Sequence, residues 1–309
     1  METKKTALYA VVRLIRIRTL FWFSVSTCYG FASVILQSFP PPDFIFLVLA
    51  IVFANMGAII TNDITDVEID RVSSEPIKQA RPLASKEISI RTATILAVIF
   101  YSLSILVAML YGHPAELFCT VIILFSLAYS LPPFRLCARP YASILFWVAL
   151  CIVCYGLMAF TLQTKYGATD SMGLAWAKPG IIFITSIVFF MGVAEILAKD
   201  LRDRINDALG GRNTFVNFIG VDAAARVLIF FSWLGYILWV EVLYLSEVLL
   251  SLSAIACLLL GFVWCLRTHF LSIKLTKAFD QALAAQLHIQ WTYIYAAMQL
   301  LTAVAFYFK

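Results

Sequence analysis

The chain is short of charge and of histidine. Lys, Arg, Asp and Glu make up 13% of its 309 residues, and there are three histidines, His113, His269 and His288. So little charge cannot clothe the surface of a water-soluble domain of this length, and three scattered histidines argue against a histidine-rich metal centre. No Gly-, Pro- or Ser-rich tract interrupts the sequence, so no linker is expected and residues 1–309 read as one domain. Cysteine supplies no framework. Cys28, Cys119, Cys151, Cys154, Cys257 and Cys265 fall in apolar runs, where a thiol is a small hydrophobe. The Cys151-x-x-Cys154 pair has no second pair or His cluster to complete a redox or metal site, and Cys137 is the one loop cysteine. The first apolar run is long, follows Arg13, Arg16 and Arg18, and lacks a small-residue cleavage site, so it reads as an anchor and not as a cleaved signal.

What is abundant is apolar surface: 62% of residues and a mean hydropathy of +0.91, the composition of an all-α, multi-pass membrane protein. Runs long enough to cross a bilayer as helices, roughly 17 to 25 residues each, lie at about 17–37, 43–62, 92–111, 115–132, 141–162, 179–198, 223–245, 247–266 and 290–308. Nine transmembrane helices are expected. Basic residues concentrate in loops retained in the cytoplasm. With the N-terminus inside, every Lys and Arg except Lys165, Lys178 and Lys309 falls on the inner side. The net charge of +5 is this inner-face bias and implies no nucleic-acid partner.

Two acidic clusters stand out against that background. NDITDVEID, residues 62–70, follows the second run and holds Asp63, Asp66 and Asp70; KDLRDRIND, residues 199–207, follows the sixth and holds Asp200, Asp203 and Asp207. Both sets repeat as i, i+3, i+7, which places three carboxylates on one face of a helix, and both fall on the cytoplasmic side. One acidic loop is ordinarily just a solvated loop. Two matching triplets are different, because like charges stacked on a helical face repel and divalent cations would remove the repulsion. Carboxylates without nearby His or Cys suit Mg²⁺, or alternatively Mn²⁺, which would share its coordination with phosphate oxygens. Lys78 and Arg81, beside the first triplet between Pro76 and Pro82, and Lys199, Arg202, Arg204 and Arg212, around the second, would complete a receptor for a polyanion such as diphosphate.

These residues resemble the UbiA superfamily of intramembrane prenyltransferases. Its Asn-Asp-x-x-Asp-x-x-x-Asp motif is matched by Asn62, Asp63, Asp66 and Asp70, and its Lys-x-x-Arg-Pro-Leu segment by Lys78, Arg81, Pro82 and Leu83. The second motif is matched by Lys199, Asp200, Leu201, Asp203 and Asp207, with Gly211 and Thr214 as the later Gly-x-x-Thr; AYSLPPFRL at 128–136, containing Tyr129, is similar to the family's Tyr-Ser-x-Pro-Pro element. Two positions depart from the pattern: Cys137 stands where relatives often have Lys, and Asn206 where Gly is common. The resemblance covers nearly the whole chain. It implies nine helices around a central cavity, capped on the cytoplasmic side by the motif-bearing loops and open laterally to membrane lipid.

The activity so implied is heterolysis of an allylic C–O bond. Metal held by Asp63, Asp66, Asp70, Asp200, Asp203 and Asp207 would act as a Lewis acid on the departing diphosphate, with Asn62, Lys78, Arg81, Lys199 and Arg212 as its binding groups. Asp66, Asp203, Lys78, Arg81, Tyr129 and Glu195 are the candidates for a direct part in catalysis. Glu195 lies inside the sixth run and, four residues before Lys199, admits two accounts: an ion pair with that lysine, or a group that orients the acceptor or takes up a proton. Aromatic faces, 15% of the chain, would stabilise the allyl cation. Attack by a lipophilic, aromatic acceptor would make the protein a transferase; capture by the prenyl chain's own alkene would make it a terpene cyclase. A non-catalytic transporter would not need the matching triplets.

Overall fold

The computed structural model describes residues 2–73, 75–167, 177–209 and 211–309. The side chains of residues 2–7, 17–19, 21, 76, 77 and 177 lie outside that description, Lys4, Lys5 and Arg18 of the topology argument among them. The described residues form helices α1 (Glu2–Leu14), α2 (Ile17–Leu36), α3 (Phe44–Val72), α4 (Pro76–Gln79), α5 (Ile90–Tyr111), α6 (Ala115–Ser130), α7 (Pro140–Tyr166), α8 (Ala177–Ile187), α9 (Ile196–Leu209), α10 (Phe215–Ile219), α11 (Val221–Leu245), α12 (Leu252–Lys277) and α13 (Gln281–Tyr307), and no strand is found among them. A π-helical stretch, Val188–Glu195, joins α8 to α9.

Each of the nine apolar runs is helical over most of its length. Six helices are long and apolar enough to cross a membrane: Phe44–Val72, Ile90–Tyr111, Pro140–Tyr166, Lys178–Leu209, Val221–Leu245 and Leu252–Lys277. Trp22–Leu36 and Ala115–Ser130 are shorter apolar helices, and α13 is a 27-residue helix outside both sets. Nine crossings therefore remain a reading of the sequence. Several boundaries depart from the hydropathy edges, among them α12, which runs to Lys277, eleven residues past the expected end at 266. Helix α3 runs ten residues past the expected end at 62, because nothing breaks it before Ser73 and Pro76. The sixth run continues through the π-helical stretch into α9. Helix α13 begins well before its apolar run, where the Asp280 side chain caps the amides of Ala282 and Leu283.

The chain divides into two compact units. Unit 1 comprises Met1–Ser24, Asp43–Ala138 and Asn206–Arg212; unit 2 comprises Val25–Pro42, Arg139–Ile205 and Asn213–Lys309. In unit 1, α3 packs along α5 and α6. Hydrophobicity alone does not hold apolar helices together in lipid, so polar bonds and close packing must contribute. One such bond joins three helices: the Tyr101 hydroxyl on α5 meets Thr61 of α3 at 3.2 Å and Ser126 of α6 at 2.9 Å. In unit 2, α11 packs on α8 and α12, and α12 on α13. The α8–α11 approach depends on Gly235: a Cβ there would lie 2.6 Å from the Phe190 ring and 3.2 Å from the Ser186 carbonyl oxygen. Its own carbonyl accepts from the Ser186 hydroxyl at 2.7 Å. Trp239, Trp264, Trp291, Tyr295, Phe183 and Phe190 form the aromatic core of this unit.

Candidate functional site

The triplets do not emerge as loops. Asp63, Asp66 and Asp70 sit on the last three turns of α3, and Asp200, Asp203 and Asp207 sit on α9, all six between 1% and 6% exposed. A buried, unpaired carboxylate is costly enough to be avoided, and the structure shows how each is answered.

In unit 1 the answer is three guanidinium groups. Arg16 donates to Asp63 Oδ1 at 2.5 Å. It occupies the break between α1 and α2 with φ of +48°, a left-handed conformation uncommon outside glycine that delivers its side chain to α3. Arg81 reaches Asp70 Oδ2 at 2.7 Å and Asp63 Oδ1 at 3.4 Å. Arg212 pairs with Asp66 and, at 3.6 Å, with Asp207. The turn after α9 makes that contact possible: Gly211, at φ +68°, ends the helix in the left-handed region that favours glycine, and the Arg212 amide folds back onto the Asp207 carbonyl at 2.7 Å. Burial lowers the pKa of Arg212, which still leaves a guanidinium charged. Asn62 spends its amide on Asp66 at 3.1 Å.

The segment after α3 begins with the short helix α4, and its Lys78 is buried against Glu75 at 3.2 Å. Asn206, the position at which Gly is common in relatives, is buried and accepts from the Ser73 hydroxyl at 3.1 Å while donating to Glu75. Ser73, Glu75, Lys78 and Asn206 thus form one hydrogen-bonded group. Tyr129 is half-buried near the end of α6, and Tyr101, which sequence reasoning passed over, carries the hydroxyl bonded to Thr61 next to Asn62.

In unit 2, Lys199 lies 3.7 Å from Asp200, and Arg202 makes a two-pronged contact with Asp203, Nε to Oδ1 at 2.8 Å and Nη2 to Oδ2 at 2.5 Å. Glu195, for which the sequence left open a pair with Lys199 or a part in the reaction, meets a histidine. Glu195 Oε1 meets His288 Nε2 at 2.8 Å, and His288 Nδ1 meets Arg202 Nη1 at 2.7 Å. Glu195 closes the π-helical stretch and leads into α9. His288, remote from both clusters in sequence, belongs to the second one in space. Cys137 lies on the connection between α6 and α7, as the sequence placed it, and is buried on the turn Leu136–Ala138.

Among the described residues no group of three His, Cys, Asp or Glu side chains is gathered as a metal site; the carboxylates face Arg and Lys. The donor chemistry nevertheless fits a hard divalent cation. Every candidate ligand is a carboxylate oxygen, and Asp200 Oδ2 is buried without a hydrogen-bond partner.

Comparison with known proteins places this geometry. The sequence model described as the UbiA prenyltransferase family matches residues 23–291. A digeranylgeranylglyceryl phosphate synthase of Sulfolobus acidocaldarius is 26% identical over 249 residues, covering 78% of this chain and 82% of that protein. A chloroplastic 2-acylphloroglucinol 4-prenyltransferase of Humulus lupulus is 32% identical over 166 residues, 52% of this chain but only 37% of that protein's length. The solved structure of a UbiA homologue from Archaeoglobus fulgidus bound to GPP and Mg²⁺ aligns with a TM-score of 0.64 at 18% identity, over 96% of this chain and 99% of that one.

Proposed function

Because the chain belongs to the UbiA prenyltransferase family and is an intramembrane prenyltransferase, we propose that it ionises a prenyl diphosphate with Mg²⁺ on the cytoplasmic side and passes the prenyl group to a lipophilic, aromatic acceptor. The observation that carries this reading is the burial of six aspartates in two matching triplets, each set interleaved with Arg or Lys. A site made only to be stable gains little from that arrangement, since buried ion pairs repay their desolvation poorly. A site made to exchange one set of ionic partners for another requires it.

Asp63, Asp66, Asp70, Asp200, Asp203 and Asp207 would hold the metal, with Mn²⁺ as a substitute. When bound, it supplies Lewis-acid stabilisation to the leaving diphosphate. Arg81, Arg212, Lys78 and Lys199 then have phosphate oxygens as alternative acceptors. Their hydrogen bonds strengthen as charge grows on the bridging oxygen, so they favour the broken C–O bond over the intact ester. Guanidinium groups suit this best, because their fork engages carboxylate and phosphate with the same geometry. The allyl cation must be kept from water until the acceptor's carbon attacks, and ring faces such as those of Tyr155 and Tyr295 can stabilise it.

The test is product analysis. Purified protein given Mg²⁺ and geranyl, farnesyl or geranylgeranyl diphosphate should release only slow prenyl alcohol, and should form prenylated product when a lipophilic phenol or aromatic acid is added. EDTA should stop turnover. A cyclic hydrocarbon formed without acceptor would replace the transferase reading with a cyclase, in which an internal alkene is the nucleophile at high effective concentration.

A further inference from the structure

The polar chain that runs from Glu195 to Asp203 is built from one side chain that sequence spacing does not connect to either triplet. His288 sits near the start of α13, 12% exposed, with Glu195 13% exposed on one side and Arg202 on the other. Its protonation state follows from its neighbours. A guanidinium has only donors and stays charged, so at 2.7 Å from Arg202 Nη1 the His288 Nδ1 must be the acceptor. An imidazole that accepts at Nδ1 is neutral and carries its proton on Nε2, and that N–H donates to Glu195 Oε1 at 2.8 Å. With Nη1 so engaged, the Nε and Nη2 edge of Arg202 is the one that faces Asp203. The arginine fork engages one lone pair on each of the two carboxylate oxygens. Metal-binding carboxylates are ordinarily oriented by hydrogen bonds of this kind from outside the coordination sphere.

We propose that His288 is a positioning residue: as a neutral Nε2–H imidazole it braces Arg202 from the intramembrane Glu195, and so fixes the orientation in which Asp203 is offered to a divalent cation. This rests on the reading of Asp203 as a metal ligand. It gives Glu195 a role other than proton uptake.

Two measurements test it, neither of them activity. The first is Mn²⁺ binding to the purified protein without substrate, followed by electron paramagnetic resonance. His288→Leu should weaken binding by about tenfold. Arg202→Lys, which keeps the charge and loses the fork, should do the same. His288→Gln, which offers a carbonyl to Arg202 and an N–H to Glu195, should stay within about threefold of wild type. Wild-type binding in both His288→Leu and Arg202→Lys overturns the proposal, as does a His288→Gln loss equal to that of His288→Leu, which would make the effect one of packing. If His288→Leu does not fold, the Arg202→Lys and His288→Gln pair decides the same question. The second measurement is the imidazole ¹⁵N spectrum, tractable with three histidines in the chain. His288, assigned by its loss in His288→Gln, should show a protonated Nε2 and an unprotonated Nδ1; a protonated Nδ1 ends the brace. A wild-type protein with no saturable Mn²⁺ site but with the expected ¹⁵N signature would instead remove the metal assignment of Asp203 and leave the hydrogen-bonded chain standing.

Discussion

Arg212 is the most direct probe of the idea that resident cations hold the acids until metal and diphosphate arrive. Its side chain is 12% exposed and pairs with Asp66 and Asp207, themselves 8% and 7% exposed. Arg212→Ala takes one positive charge from two buried carboxylates, and breaking a buried pair from one side costs about 3 to 5 kcal/mol. In a protein of this size that corresponds to a fall of roughly 6 to 10 °C in apparent Tm. If the missing charge is one that a divalent cation can replace, the loss should be conditional. A ligand at a hundred times its Kd stabilises by about 2.7 kcal/mol. Added Mg²⁺ should therefore recover a large part of the variant's deficit, while shifting the wild type less, because in the wild type the metal must displace a guanidinium already in place.

The assay is thermal unfolding in detergent, with and without EDTA. A thiol-reactive fluorophore reports the transition, since six of the seven cysteines are buried. Arg212→Lys should fall between wild type and Ala, retaining the charge without the fork. The reasoning fails if Arg212→Ala melts with the wild type in EDTA, which would mean that the pair contributes nothing. It fails equally if Mg²⁺ stabilises wild type and variant by the same amount, which would mean that arginine and metal do not share the same carboxylates.

Other expectations follow from the same geometry. Asp66→Asn and Asp203→Asn should each lower turnover of a prenyl diphosphate by at least about a hundredfold in protein that still purifies as a folded species; near-normal rates in both would dismiss the metal-ligand assignment. Asn206→Ala should cost about 1 to 3 kcal/mol, read as a lower Tm, since it removes partners from Ser73 and Glu75 in a buried setting. It should also raise the KM for the prenyl diphosphate through Lys78, and an unchanged KM would detach Lys78 from that group. Because Cys137 is buried, an impermeant thiol reagent should leave it unlabelled in folded protein. Sidedness is better read from Lys277→Cys at the exposed end of α12, which should label in inverted vesicles and not in intact cells; labelling from outside would reverse the orientation.

What could be read from the sequence and what could not divide along the distance between partners. The i, i+3, i+7 spacing of Asp63, Asp66 and Asp70, and again of Asp200, Asp203 and Asp207, is a local property of one helix, and the structure puts each set on one helix. The hydropathy runs likewise found the helices, because apolar length is local, yet missed where α3, α9 and α12 end and where α13 begins, because capping and the absence of a breaker set those limits. The cations that answer the acids are another matter. Arg16 lies 47 residues from Asp63, Arg212 lies 146 from Asp66, and His288 lies 93 from Glu195. Positive-inside reasoning gives Arg16 a sufficient purpose as a topology signal, so nothing prompts a second one. For Glu195, spacing offered Lys199 four residues on, whereas His288 comes from a helix that no local pattern connects to it. A pattern along one element shows which groups a protein concentrates; which charge each of them meets depends on how remote segments are brought together. In this chain those meetings, more than the acids themselves, set the condition under which a metal and a diphosphate could take their place.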